Sequence, residues 1–145
     1  MRGAAAAGRW SPAGEFDVLY TSLERDGALA EVGYRLSLEP VWPSRLEHDL
    51  HRIAARTRRS LRFPDVASLV PFGVDAARYA GFDYGATQAL AAAARFLEFD
   101  SLIVPSARSP SLHLVLFLDD VLEAGALRVI ETEPVDWDAW RRHRQ

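Results

Sequence analysis

Residues Gly8–Glu31, GRWSPAGEFDVLYTSLERDGALAE, decide how the rest of the chain is read, because they set a loop, a strand and a helix in quick succession. They also deliver Arg9, Tyr20 and Glu31, one from each of those pieces. Ser11-Pro12-Ala13-Gly14 is a breaker cluster in which Pro12 and Gly14 limit where regular structure can start. Val18-Leu19-Tyr20-Thr21 follows as a short β-branched and aromatic strand. Ser22 stands where a helix N-cap would be, with Glu24 in the first turn near the positive end of the dipole. Leu29, Val32 and Leu36 recur at three- and four-residue steps, so a helix running to about Leu38 buries one stripe and carries Glu31 beside it.

Composition bounds what this unit can belong to. At 145 residues, 49% hydrophobic and 26% charged, the chain can bury one sizeable core, and no shift in composition divides it. One domain over residues 1–145 is expected, with residues 1–7 as a flexible arm. Seventeen basic residues against 20 acidic ones give a net charge of −3, which argues against a polycation built for nucleic acid or membrane. All 17 are arginine. The absence of cysteine rules out a disulfide framework and a thiolate site and fits a reducing, cytoplasmic setting. The alanine run at the start is too short and too weakly apolar for an export signal, and no stretch reads as a membrane span.

Downstream, Pro40 and Pro43 mark a turn, and residues 46–63 read as one long, partly exposed strand ending at Pro64. Arg52, Arg56, Arg58, Arg59 and Arg62 make this the main basic patch. Val74–Ala80 is a candidate short helix closed by Gly81, and Thr87–Phe96 is strongly helical from its alanines and leucine, with Asp83 or Thr87 as cap. Ser101–Val104 is a short buried strand, and Leu112–Leu118 is apolar on both faces apart from His113, as in a central strand covered on both sides. Asp119-Asp120 leads through Gly125 to a last strand, Leu127–Glu131. The end, Trp137–Arg144, reads as a helix anchored by Trp137 and Trp140. Strands and helices alternate without a regular βαβ rhythm, so the expected class is α+β, a single domain with a central mixed sheet flanked by helices. No glycine-rich nucleotide fingerprint, Walker sequence or HExxH is present, and the four histidines form no ligand pattern, which leaves resident metals and common cofactors unsupported.

The order GRW-S-P-A-G, VLYTS, ALAE, then LIVPSAR followed by LHLVLF, resembles the RES domain family over roughly Gly8 to Leu122. The family's arginine, tyrosine, glutamate and serine fall on Arg9, Tyr20, Glu31 and Ser106, while Ser11 stands where the family commonly has asparagine. The resemblance implies a fold similar to ADP-ribosyltransferase toxins. It further implies a toxin that degrades intracellular NAD+, inhibited by an Xre-type antitoxin with a DNA-binding domain in a hetero-oligomer. NAD+ would be substrate, and no separate cofactor or metal is expected.

The four residue types suit that chemistry. Nicotinamide leaves NAD+ as a neutral ring, so no proton donor is needed and one carboxylate can serve where ordinary glycosidases use two. Glu31 would stabilise the charge growing on the ribose and hold its hydroxyls. Arg9 would grip the pyrophosphate, Tyr20 would offer its face to the nicotinamide, and Ser106 would orient Glu31 or a ribose hydroxyl. Arg108 is a candidate second phosphate contact. Water or inorganic phosphate could be the acceptor. Taken alone, each residue has a plainer reading. Glu31 and Arg35 make a surface helix pair, Tyr20 a core aromatic, Arg9 and Arg108 solvated charges, and Ser106 a turn residue bonding its own backbone. Three other functions stay open: an ADP-ribosyltransferase acting on a protein, a nucleic-acid-directed toxin working through Arg52–Arg62, and a silent family member that binds antitoxin without turnover.

Overall fold

A computed structural model describes residues 8–12, 14–43, 45 and 47–143; the expected arm at residues 1–7 and Arg144 at the end of the last helix lie outside the described residues. The elements in order are β1 (Val18–Ser22), α1 (Arg25–Ser37), β2 (Asp49–Ala55), β3 (Ser60–Arg62), α2 (Gly85–Phe96), β4 (Ser101–Pro105), β5 (Leu112–Phe117), α3 (Leu118–Glu123), β6 (Leu127–Pro134) and α4 (Trp137–His143). They form a four-stranded sheet in the order β1-β5-β4-β3 and a separate antiparallel pair, β2-β6. The larger sheet is mixed, as expected: β3 runs parallel to β4, and the other pairings are antiparallel. A parallel neighbour needs a crossover, and α2 supplies it.

Strand alternation sorts the sheet into two faces. On one, Val18, Tyr20 and Ser22 stand opposite Phe117, Val115 and His113, with Leu102 and Val104 of β4 in the same rows. This face holds the main core, where Ala91 and Ala94 of α2 pack with Leu102, Val104, Val115 and Phe117. Alanine at those helix positions lets the backbone of α2 lie close to the sheet. On the other face, Leu116 packs with Val121 of α3 and Ala126, beside Leu19 and Leu114. The β5 strand is therefore central and covered on both sides.

Several boundaries differ from the sequence reading. The Arg-rich stretch is two strands in different sheets, because the Arg58 and Arg59 amides donate to the Asp100 carboxylate (2.6 and 3.2 Å) and turn the chain between them. Ser22 does not cap α1. It stays in β1 opposite His113, its Oγ accepts from the Glu24 amide at 3.2 Å, and Glu24 itself occupies the cap position. The helix expected at Val74–Ala80 shrinks to a 3-10 turn at Ala76–Arg78, and a second 3-10 run, Ala67–Phe72, fills the connecting segment. Segments this short gain too few hydrogen bonds to offset helix nucleation. Leu118, expected to end β5, begins α3 with Asp119 and Asp120 in its first turn, Gly125 at φ 62° turns the chain out of it, and β6 runs on to Pro134 because β2 pairs along it. Tyr84, not Asp83 or Thr87, stands in the cap position of α2, although the Asp83 Oδ1 accepts from the Gly85 amide at 3.3 Å. The C-terminal helix is anchored as expected. Trp137 is buried and donates its indole N–H to His48 Nδ1 at 2.9 Å, and Trp140 packs over Gly33 of α1.

Gly27 fixes how α1 sits on the sheet, since a Cβ there would run into the hydroxyls of Ser22 and Ser111. Gly27→Ala should lower unfolding stability by about 1–3 kcal/mol despite the better helix propensity of alanine. Urea denaturation checks this, and an unchanged midpoint would show that the helix seat is loose.

Candidate functional site

The loop Gly8–Ser11 is held from two sides. From β1, the Tyr20 hydroxyl accepts from the Trp10 amide at 3.0 Å and bonds the Ser11 hydroxyl at 2.9 Å. From α2, Gln88 Nε2 donates to the Gly8 carbonyl at 2.9 Å and the Thr87 hydroxyl donates to the Arg9 carbonyl. Trp10 is driven into the core, 2% exposed, and Gly8 leaves room for the Tyr20 hydroxyl, which a Cβ at position 8 would strike. Thr87, read from sequence as a helix cap, thus serves the loop.

Arg9 is thereby fixed between two rings. Its guanidinium carbon lies 4.9 Å from the centroids of both Tyr79 and Tyr84, and Nη1 donates to the Tyr79 carbonyl. The rings face the cation and orient it, and among the described residues only Nη1 of the fork has a hydrogen-bond acceptor. Tyr79 in turn donates its hydroxyl to the Pro105 carbonyl at 2.6 Å, at the start of the loop that carries Ser106. Burial pushes the Tyr79 phenol up to about 12, against the pull of Arg9, while the negative charge of Glu31 adds to the rise.

Tyr20 is pinned by its hydroxyl, yet the residue is 44% exposed. The two facts agree once the ends are separated: the phenol oxygen is shut under the loop and the ring is open. Burial raises its pKa, opposed by the bonds from Ser11 and Trp10 and by Arg9.

Glu31 projects from α1 with Oε2 buried and without a hydrogen-bond partner. Its charge acts on Tyr79 and on His113, and Arg9 acts on the same two residues. A carboxylate, a guanidinium, an imidazole and a phenol therefore share one site, and no ion pair joins Arg9 to Glu31 among the described residues. His113 is held below its ordinary value chiefly by burial, with Glu31 opposing and Arg9 reinforcing the shift.

Ser106 sits at the end of β4, and its own Oγ accepts from the Arg108 and Ser109 amides at 3.0 and 3.2 Å. Its oxygen thus shapes the loop leading to Ser111, the residue that receives Gly27 of α1; no bond to Glu31 is formed. Arg108 leans on Tyr34 of α1, 3.7 Å above the ring, and lines a cleft with Trp42 and Trp140 next to the Glu31 helix. Arg9, Tyr20 and Glu31 are thus brought together, and Ser106 and Arg108 border them. Sequence reasoning passed over His113, Tyr79 and Tyr84. For His113 a signal existed, a lone polar residue in a strand otherwise apolar on both faces. The tyrosines had none, since their partner is seventy residues away.

Comparison with known proteins identifies a family and a similar fold. A family model described as the RES domain matches residues 1–138. Among solved structures, a chain in the crystal structure of the M. tuberculosis MbcT-MbcA toxin-antitoxin complex superposes with a TM-score of 0.78 at 19% identity, covering 93% of this chain and 75% of that one. No curated protein matches the sequence.

Tyr20→Phe keeps the ring but leaves the Trp10 amide without its acceptor. A loss of about 1–3 kcal/mol in unfolding free energy is expected, together with faster amide exchange across residues 8–11. Tyr79 makes stability depend on alkaline pH. The unfolded phenol ionises near its model value of 10.0 and the folded one at about 12, so its contribution is whole below pH 10.0 and is lost as pH rises towards 12. Tyr79→Phe should flatten that decline in an alkaline denaturation series.

Proposed function

This chain belongs to the RES domain family, and from that premise we propose that it is the toxin of a toxin-antitoxin pair and breaks the nicotinamide–ribose bond of NAD+. The observation that carries this reading is the Glu31 carboxylate, one oxygen buried and unpartnered in the same site as Arg9 and the open ring of Tyr20. A carboxylate oxygen left without a hydrogen-bond donor is unfavourable in the resting protein and strongly stabilising when positive charge develops next to it. Cleavage of a nicotinamide riboside develops that charge on the ribose. The departing ring needs no proton, so a single carboxylate is sufficient, unlike the paired carboxyls of ordinary glycosidases. Arg9, oriented by Tyr79 and Tyr84, supplies a preset fork for the pyrophosphate. The Tyr20 ring, unable to swing because its hydroxyl is bonded, gives the cationic nicotinamide a face that loses its attraction once the bond breaks. Ser106 keeps the Arg108–Ser111 loop in place against α1.

Water or inorganic phosphate then takes the ribose carbon; transfer of ADP-ribose to a protein is the same reaction with another acceptor. The proposed partner is an Xre-type antitoxin, supported by the fold shared with a protein solved in a toxin-antitoxin complex. The proposed compartment is the cytoplasm, where NAD+ is found, and no described helix is long and apolar enough to cross a membrane. A nucleic-acid-directed activity through the Arg-rich stretch draws less support. Arg56, Arg58 and Arg59 line a cleft whose walls also hold Glu98, Asp100, Asp120 and Glu123, and Arg59 is taken up by the Leu97 carbonyl and the Phe99 ring.

Glu31→Gln is expected to cut nicotinamide release from NAD+ by about 100-fold or more. Stability should hold or rise, since a buried unpaired charge is removed. Expression of the wild type should deplete cellular NAD+ and arrest growth, expression of the variant should not, and Arg56→Glu with Arg58→Glu should leave turnover unchanged. Full activity of a folded Glu31→Gln protein would overturn the assignment.

A further inference from the structure

Among the described residues, two buried side-chain atoms have no hydrogen-bond partner, Glu31 Oε2 and His113 Nε2. Folded proteins leave few such atoms, and each is unfavourable, more so when charged, unless something pairs with it. These two come from different elements, α1 and β5, yet they feel each other's charge. They do not bond to one another, and both atoms are left without a partner.

The chemistry of the two atoms defines what fits between them. An ionised carboxylate only accepts, so Glu31 Oε2 calls for a donor. Burial keeps the imidazole neutral at neutral pH, and a neutral imidazole nitrogen can accept or donate according to its tautomer. A hydroxyl satisfies either. The complement is therefore two adjacent hydroxyls, one of which gives its proton to the carboxylate. The surroundings agree. Facing His113 are Ser22 across the strand pair on one side, Val104 on the other, and Arg9 and Glu31 from the loop and helix, so no second carboxylate competes for the imidazole. Tyr20 lies on the same sheet face as His113, two residues before Ser22 along β1.

We infer that His113 Nε2 and Glu31 Oε2 together bind the adjacent 2′- and 3′-hydroxyls of the nicotinamide ribose, which makes His113 a substrate-binding residue that selects ribose over deoxyribose. This rests on the NAD+ reading above and adds to it a residue and a specificity. With the diol anchored at both oxygens, the ribose is fixed relative to the carboxylate that stabilises its charge, and a 1 Å error in that placement matters to rate.

The experiment measures nicotinamide release from NAD+ and from analogues whose nicotinamide ribose lacks either the 2′- or the 3′-hydroxyl, in wild type, His113→Leu and His113→Gln. The quantity read is the kcat/KM for NAD+ divided by that for each analogue, so the intrinsic lability of the deoxy sugar cancels between proteins. For one of the two analogues, His113→Leu should lower this ratio by about tenfold, equivalent to about 1.4 kcal/mol. His113→Gln, whose amide reaches the Nε2 position, should bring it back towards the wild-type value. Should the leucine variant fail to fold, His113→Asn, with its amide near the Nδ1 position, is compared with His113→Gln and should show the lowered ratio. Ratios equal to wild type for both analogues in a folded variant overturn the assignment of His113 while leaving NAD+ cleavage intact. A wild-type protein that releases no nicotinamide overturns the NAD+ reading itself, and this inference with it.

Discussion

The grip on the Gly8–Ser11 loop is the constraint on which the rest of the site depends. A loop has little of its own to hold it, and fixing each residue costs conformational entropy of about 1–2 kcal/mol. Here the Tyr20 hydroxyl from β1 and the Thr87 and Gln88 side chains from the first turn of α2 bind it from opposite sides, while Trp10 fills the core. The loop is thus tied both to an edge strand of the main sheet and to the crossover helix on its face. Arg9 inherits its position from that double attachment, and the rings of Tyr79 and Tyr84 set the direction of its fork.

A second dependence runs through α1. Its approach to the sheet is set by Gly27 against Ser22 and Ser111, and Ser111 is set by the turn that Ser106 organises. An ion pair from Arg25 Nε to Glu133 Oε1, 2.7 Å long, ties the start of the same helix to β6, though both side chains are largely exposed and such pairs contribute little. Ser106 therefore reaches Glu31 through packing rather than by a direct bond.

The buried polar atoms of Glu31 and His113 set local stability against function. A fold selected for stability alone would pair them or replace them with apolar groups. They lie beside a core in which Leu102, Val104 and Val115 are fully buried, so the unpartnered polar atoms stand out against their surroundings.

Much of this was legible in the chain itself. Short-range patterns located β1, α1, α2, β4 and β5, since propensity and hydrophobic period act within a few residues, and the motif order pointed to Arg9, Tyr20, Glu31 and Ser106 together. The same local signals could not say that residues 49–62 feed two different sheets, because the turn depends on the Asp100 carboxylate arriving from forty residues away. They could not reveal that Thr87 serves the Gly8–Ser11 loop as well as its own helix, that Ser106 closes a turn, or that Tyr79 and Tyr84 flank Arg9. His113 shows the limit most clearly: the sequence displayed a histidine out of place in an apolar strand, but only the pairing of β5 between β1 and β4, with α1 laid across that face, put its imidazole opposite a carboxylate. The chain determined which side chains were available and on which elements; the long-range register decided which of them could meet.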